Sequence, residues 1–298
     1  MTTNINHDLR VNNGCTLYMP PWEAGNDKWG NLAIPDVYAI GTAQLYPTGA
    51  IFRKGLRTFI YSLCAATGYG TSGAGIMAGA CMEPTAEILI KTDAVVSGAS
   101  GASVIGVTTS ASTALNAYAG GTIGIMQAAG GLTTVGRGST YQIISNTAEV
   151  DNVTYFTLDG TLVNDYGTGD DVVLAENPYA ECRTNVNGNF HMTTGINICT
   201  TVASSYLWLQ TGGMNNLLIM MVAFEGAYVN GVPCYSVAGT PQIADTSDGA
   251  IGTATTSGIA HGNLQCIGHV YASTVIGGAT GTPADVSISP TVFLNIFN

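Results

Sequence analysis

The chain has 298 residues, 46% hydrophobic and only 9% charged, with a formal net charge of −11 from 8 Lys and Arg against 19 Asp and Glu. That hydrophobic content excludes wholesale disorder, while the charged fraction is far below the roughly 25% of an ordinary soluble domain, so neighbouring subunits are expected to cover much of the surface. The acidic balance excludes a nucleic-acid binder, which needs a basic stripe to displace counterions from phosphate; the longest basic cluster is Arg53, Lys54 and Arg57.

Taken in chain order, residues 1–45 form a first segment: an extended, irregular N-terminal arm. It holds Pro20, Pro21, Pro35 and two of the three tryptophans, with no helical or strand period. Trp22, Trp29, Tyr38 and Tyr46 are its candidate partner-binding anchors, because large aromatics dominate interface energetics. Residues 46–180 are read as a β domain. Ala50–Arg53 and Leu56–Leu63 flank Lys54-Gly55, predicting a hairpin whose glycine takes the positive φ. Residues 65–135 are low in complexity, dominated by Gly, Ala, Ser and Thr over 97–121, with short apolar insets at 104–107 and 122–126 as strands and a helical turn at 114–119. The clearest strand signals are 139–144, 153–158 and 171–174, with Asp159-Gly160 as a turn.

Asn177-Pro178 breaks that pattern and opens a connector of about 25 residues. Residues 181–298 are read as a second, barrel-like β domain. Its strands are expected at Tyr206–Gln210, then after a turn at Gly212-Gly213 through the apolar run 217–224, and in the alternating end 292–297. Eight apolar residues are too few to cross a bilayer, so no membrane association is expected. The fold class is mainly β: antiparallel sandwich or barrel, with little helix.

The motifs that carry chemistry are weak here. Gly68-Tyr69-Gly70-Thr71-Ser72-Gly73 fits a dinucleotide fingerprint, with Asp93 at the distance of a ribose-binding acid. The segment after it is a poor helix, broken by Gly75, Gly79 and Pro84, so no cofactor is expected. His7, His191, His261 and His269 lack metal-binding spacing, and no nucleophile elbow occurs. Asp159, Asp165, Asp170 and Asp171 supply oxygen without calcium-loop spacing, and read as a solvated acidic loop. The seven cysteines form no CxxC pair and read as buried small hydrophobes. No metal and no catalysis are expected.

Gly41-Thr42-Ala43-Gln44-Leu45-Tyr46-Pro47-Thr48-Gly49, followed by Phe52-Arg53 and Thr58–Tyr61, resembles an opening found in proteins of marine tailed-phage genomes. Further likenesses follow in order: Ala119-Gly120-Gly121, Thr140–Ile143, Glu176-Asn177-Pro178-Tyr179, Tyr206–Gly213 and Val292–Ile296. This resemblance, over about residues 41–298, implies a virion structural protein that decorates and cements the outer capsid surface. The partners it implies are the major capsid protein and copies of itself, as a homotrimer. Another virion component (tail, head fibre or minor coat protein) and a host- or glycan-binding module remain as alternatives.

Overall fold

Short apolar runs that alternate with Thr, Ser and Gly favour pleated, half-buried strands over helices. The computed structural model describes residues 8–11, 14–23, 33–66, 78, 80–84, 91–109, 113–127, 139–184, 193–216, 219–220, 233–237, 240–243, 266–272, 275–276, 287–288 and 291–296. Among them are twenty-two strands, one 3-10 turn (Pro21–Glu23) and no α-helix. The strands are β1 (Asp8–Val11), β2 (Cys15–Tyr18), β3 (Ile51–Lys54), β4 (Arg57–Leu63), β5 (Cys81–Pro84), β6 (Lys91–Gly98), β7 (Val104–Thr108), β8 (Thr122–Gln127), β9 (Thr140–Asn146), β10 (Val153–Leu158) and β11 (Tyr166–Gly167). They continue with β12 (Asp170–Ala175), β13 (Cys182–Thr184), β14 (Gly195–Asn197), β15 (Tyr206–Asn216), β16 (Ile219–Met220), β17 (Pro233–Val237), β18 (Thr240–Ile243), β19 (Cys266–Ala272), β20 (Val275–Ile276), β21 (Ser287–Ile288) and β22 (Thr291–Asn295). The chain is mainly β and antiparallel, as its composition predicts.

The contacts divide the chain into two units that are not sequential. One comprises residues 86–180 with 1–7 and 19–30, the other 8–18, 31–85 and 181–298. One division falls at Ala180/Glu181. The 46–85 stretch, however, belongs with the C-terminal residues, because β4 pairs along β15 from Leu63↔Tyr206 to Thr58↔Gly212. The predicted arm is irregular at 33–49, while β1 and β2 within it pair with each other and join the sheet through β2 and β3.

The first unit is a closed six-stranded barrel in the order β6-β12-β8-β9-β10-β7, with β7 returning to β6. Closure removes the sheet edges. Inward positions alternate along each strand: Ile105 and Val107, Ile123 and Ile125, Phe156 and Leu158, Val172 and Leu174 are all buried. Register shifts at Val95/Ser97 and Thr157/Leu158 supply the bulges that turn the corners. Ahead of β8, residues 113–121 cross one end and insert Tyr118, edge-on to Phe156 at 5.7 Å. The β10–β12 connection crosses the other and inserts Leu162, pinned by bonds to Ala102 and Gly101. Asp159-Gly160 therefore opens a crossing rather than a hairpin. The predicted helical turn at 114–119 is a run of tight turns. Buried Asn146 ties these turns down: its Oδ1 accepts from the Tyr118 amide, and its Nδ2 donates to the Ala114 and Thr147 carbonyls.

The second unit is organised by β15, which is buried on both faces. Leu207 and Leu209 join Cys64, Met82 and Cys182 in one cluster. Trp208 packs with Tyr46, Phe52 and Tyr61 at 5.0–5.8 Å. One edge of β15 pairs with β4; its other partners are β14 and β22. β14 leads through β5 to β13, and Cys182 of β13 bridges Cys64, which closes a small ring of strands. β22 leads to β19, β17 and β18, while β16, β21 and β20 form a separate small sheet. The predicted turn at Gly212-Gly213 is instead a bulge inside β15, where pairing with β4 skips Thr211. Gly213 has φ +82°, and a Cβ there would collide with the Leu56 carbonyl.

Two stability outcomes follow. Gly213→Ala combines left-handed strain with overpacking and is expected to lower unfolding free energy by about 2–5 kcal/mol, read by urea titration. Asn146→Ala strands buried backbone groups and is expected to cost about 1–3 kcal/mol in the same assay.

Candidate interaction surfaces

The β3–β4 hairpin turns over two residues, Gly55 and Leu56, with Lys54 opposite Arg57. Gly55 has φ +60° and Leu56 keeps negative φ, the sign pattern of a type II′ turn whose twist suits the strands. The turn leaves Leu56 80% exposed at the tip. Arg57 holds the tip rigid. Its Nε and Nη2 donate to Gln210 Oε1 at 3.3 and 2.9 Å, and its Nη1 donates to the Tyr38 hydroxyl at 3.2 Å. The guanidinium also lies 4.7 Å from the Phe59 ring centre. Gln210 is fully buried and satisfied: Nε2 donates to the Gly212 and Met214 carbonyls, and Asn215 Nδ2 donates to Oε1. One side chain thus fastens both the β15 bulge and the cation beneath the tip.

The four predicted anchors fare differently. Tyr38 is presented to solvent, 57% exposed, with its hydroxyl on Arg57 and its amide on Asp36 Oδ1. Tyr46 is buried in its own unit, against Tyr61 and Trp208, and its hydroxyl donates to the Ala33 carbonyl. That corrects its assignment as an arm contact, since a core side chain is not available to a partner. Trp22 lies against its own barrel unit: a Cβ on Gly120 would fall 2.6 Å from the indole. Trp29 lies outside the described residues.

A second surface is the outer face of β6, β7 and β10. Tyr155 stands opposite Gly106, which stands opposite Ser97. A Cβ on Gly106 would fall 3.0 Å from the Tyr155 ring and 2.9 Å from Ser97 Oγ, so the ring lies down over the glycine. Val104, Thr108, Val153 and Thr157 surround it, and none of these side chains is charged. Alternation dictates this face, because the intervening residues of β7 and β10 point into the barrel. Nothing in the sequence reading singled it out; the alternation in β10 was legible, but the glycine beneath Tyr155 lies 49 residues away in the chain.

The acidic loop lies at the barrel end that Leu162 closes. Asp165 Oδ1 accepts from the Ser100 amide at 2.8 Å, Asp159 Oδ1 from Gln142 at 3.0 Å, and Asp170 Oδ2 from Gly167 at 3.1 Å. Each carboxylate caps a local turn or crossing. Between them Val163 is 54% exposed. Among the described residues no group of three His, Cys, Asp or Glu is placed to hold a metal ion. No helix among them is long and apolar enough to cross a membrane.

The glycine-rich fingerprint, His7, His191 and His261 lie outside the described residues, and His269 is on β19. Burial pushes the Cys64 thiol up to about 11 and that of Cys182 up to about 12, and Ser62 Oγ donates to Cys182 Sγ at 3.1 Å. Both therefore stay protonated and unreactive at neutral pH. Compared with protein-family models, with curated proteins and with solved structures, the chain matches none of them.

Both thiols are expected to resist a disulfide reagent at pH 8 until the protein is unfolded. Their raised values in the folded state mean that stability is intact below the ordinary thiol pKa of about 8.5 and falls as pH rises towards about 12, because only the unfolded chain ionises freely. Denaturant midpoints at pH 8 and pH 10.5 check the direction. Gln210→Ala removes the acceptor of Arg57 and is expected to destabilise by about 1–3 kcal/mol, with the Arg57→Met variant testing whether the cation is needed once its acceptor is gone.

Proposed function

We propose that the chain is a structural virion protein that decorates the outer surface of a tailed-phage capsid, bridging major capsid subunits and acting as a homotrimer. The observation that carries this reading is the charge-free barrel face centred on Tyr155, in a chain of which only 9% is charged. Such a face favours burial against a protein partner, and its flat aromatic supplies rigid contact area. The resemblance of the short motifs at 41–49, 206–213 and 292–296 to an opening and strands of tailed-phage proteins leads to the same expectation. The mechanism is mechanical. Many weak contacts on a repeating lattice act together, so a modest affinity per site gives a durable coat.

A second reading is favoured by one feature: the Tyr155 ring is flanked by the hydroxyls of Ser97, Thr108 and Thr157, a combination that suits stacking on a sugar. The alternative of another virion component differs only in location. Cryo-electron microscopy of particles carrying the chain separates these. Density on the outer shell at three-fold or quasi-three-fold positions is expected; density in the tail or a fibre would move the assignment there. Tyr155→Ala is expected to weaken particle binding by about 2 kcal/mol, as for a central aromatic contact. If the variant instead keeps full occupancy and loses binding on a glycan array, the sugar reading replaces the coat reading.

A further inference from the structure

The chain's charge is unevenly placed. Arg53, Lys54 and Arg57, three of its eight cationic residues, fall within five positions at the β3–β4 hairpin, with no acid among them. By contrast, residues 159–171 hold Asp159, Asp165, Asp170 and Asp171 with no Lys or Arg. Each pole also carries an exposed aliphatic side chain: Leu56 at 80% and Val163 at 54%. Both poles are rigid. The hairpin is fixed from below by Arg57 on Gln210, and Arg53 is held 5.4 Å over the Tyr18 ring. At the other pole, Asp159 and Asp165 are fixed by backbone amides, which leaves their second oxygens unused by those bonds.

We propose that the β3–β4 tip docks on the acidic barrel end of a second copy of this chain, Leu56 meeting Val163 while Arg53 and Lys54 meet Asp159 and Asp165. The two poles are opposite in charge, each has an exposed aliphatic centre, and neither needs to reorganise on binding. In a molecule of net charge −11, two copies repel over most of their surface, so a contact that brings a cationic tip to an anionic end selects this orientation. Because the two surfaces differ, the contact is heterologous. It closes into a ring when the rotation permits, and otherwise propagates as a filament. The inference deepens the coat-protein reading by naming one partner of the chain as the chain itself.

Sedimentation of the full chain over a range of concentration tests it. The wild type is expected to self-associate, and to do so more weakly as salt rises from about 0.01 M to about 1 M, where the screening length shrinks from about 30 Å to about 3 Å. Lys54→Glu with Leu56→Glu, and separately Asp159→Asn with Asp165→Asn, are each expected to weaken association at least about tenfold. The asparagines retain the oxygen that caps each backbone amide, and unchanged thermal melts confirm the fold of both variants. Mixed together, the two are expected to form a one-to-one dimer that grows no further, since each brings one intact pole. A wild type that stays monomeric, association that ignores both pairs of substitutions, or a mixture that stays monomeric would overturn the proposal. So would loss of particle binding by the tip variant with self-association intact, which assigns the tip to the capsid. Failure of the coat reading is distinguishable: particles would lack density for the chain while self-association in solution persisted.

Discussion

The second unit depends on one strand being satisfied on every side. β15 buries Leu207 and Leu209 on one face and Trp208 and Gln210 on the other, and its edges are occupied by β4, β14 and β22. A strand in this position has no room for error: a shift of one residue would exchange its two apolar sets and place Gln210 among the cysteines and methionine of the small ring. The bulge at Thr211 lets the strand change course, and Gln210 holds it there by bonding carbonyls on either side of Gly213. Rigid presentation of the hairpin tip follows from the same arrangement, because Arg57 is fastened to the amide that fastens the bulge.

The barrel solves a different problem, that of closing six strands round a core only two side chains deep. Its inward residues are valine, isoleucine, leucine and phenylalanine, and the two crossing connections contribute Tyr118 and Leu162 as end plugs. The outside of such a barrel is free to carry whatever the surroundings demand. On the β6–β7–β10 side it carries hydroxyls, small residues and one tyrosine laid over a glycine; at the Leu162 end it carries carboxylates that also cap backbone. The contrast explains how a chain with few charges still concentrates them.

Local chemistry made much of this legible from the residues alone. The Lys54-Gly55 hairpin, the strands read at 139–144, 153–158 and 171–174, which are β9, β10 and β12, and the terminal β22 follow from alternation and turn glycine. What stayed hidden was long-range. Gly212-Gly213 looks like a turn, and becomes a bulge only because β4, about 150 residues earlier, lies alongside. Tyr46 looks like an arm aromatic, but Trp208 and Tyr61 supply a buried niche for it. Asp159-Gly160 has hairpin chemistry, yet the next strand of the barrel is not β10's neighbour. Of the three anchors among the described residues, Tyr38 is the one at a presented surface; the Tyr155 face is hidden from local reading because its defining glycine comes from another strand.

The placement of the barrel within the chain has a kinetic meaning. Residues 86–180 are inserted between β5 and β13, strands that pair with each other through Pro84↔Cys182. During synthesis all six barrel strands are made before β15 begins, so the inserted unit has its full complement of strands while β4 still waits for a partner roughly 150 residues away. Until β15 arrives, the outer edge of β4 is an unpaired apolar template, open to pairing with another nascent chain. Contacts of such sequence separation make folding slow, and the waiting hairpin is the segment most exposed to aggregation in the meantime.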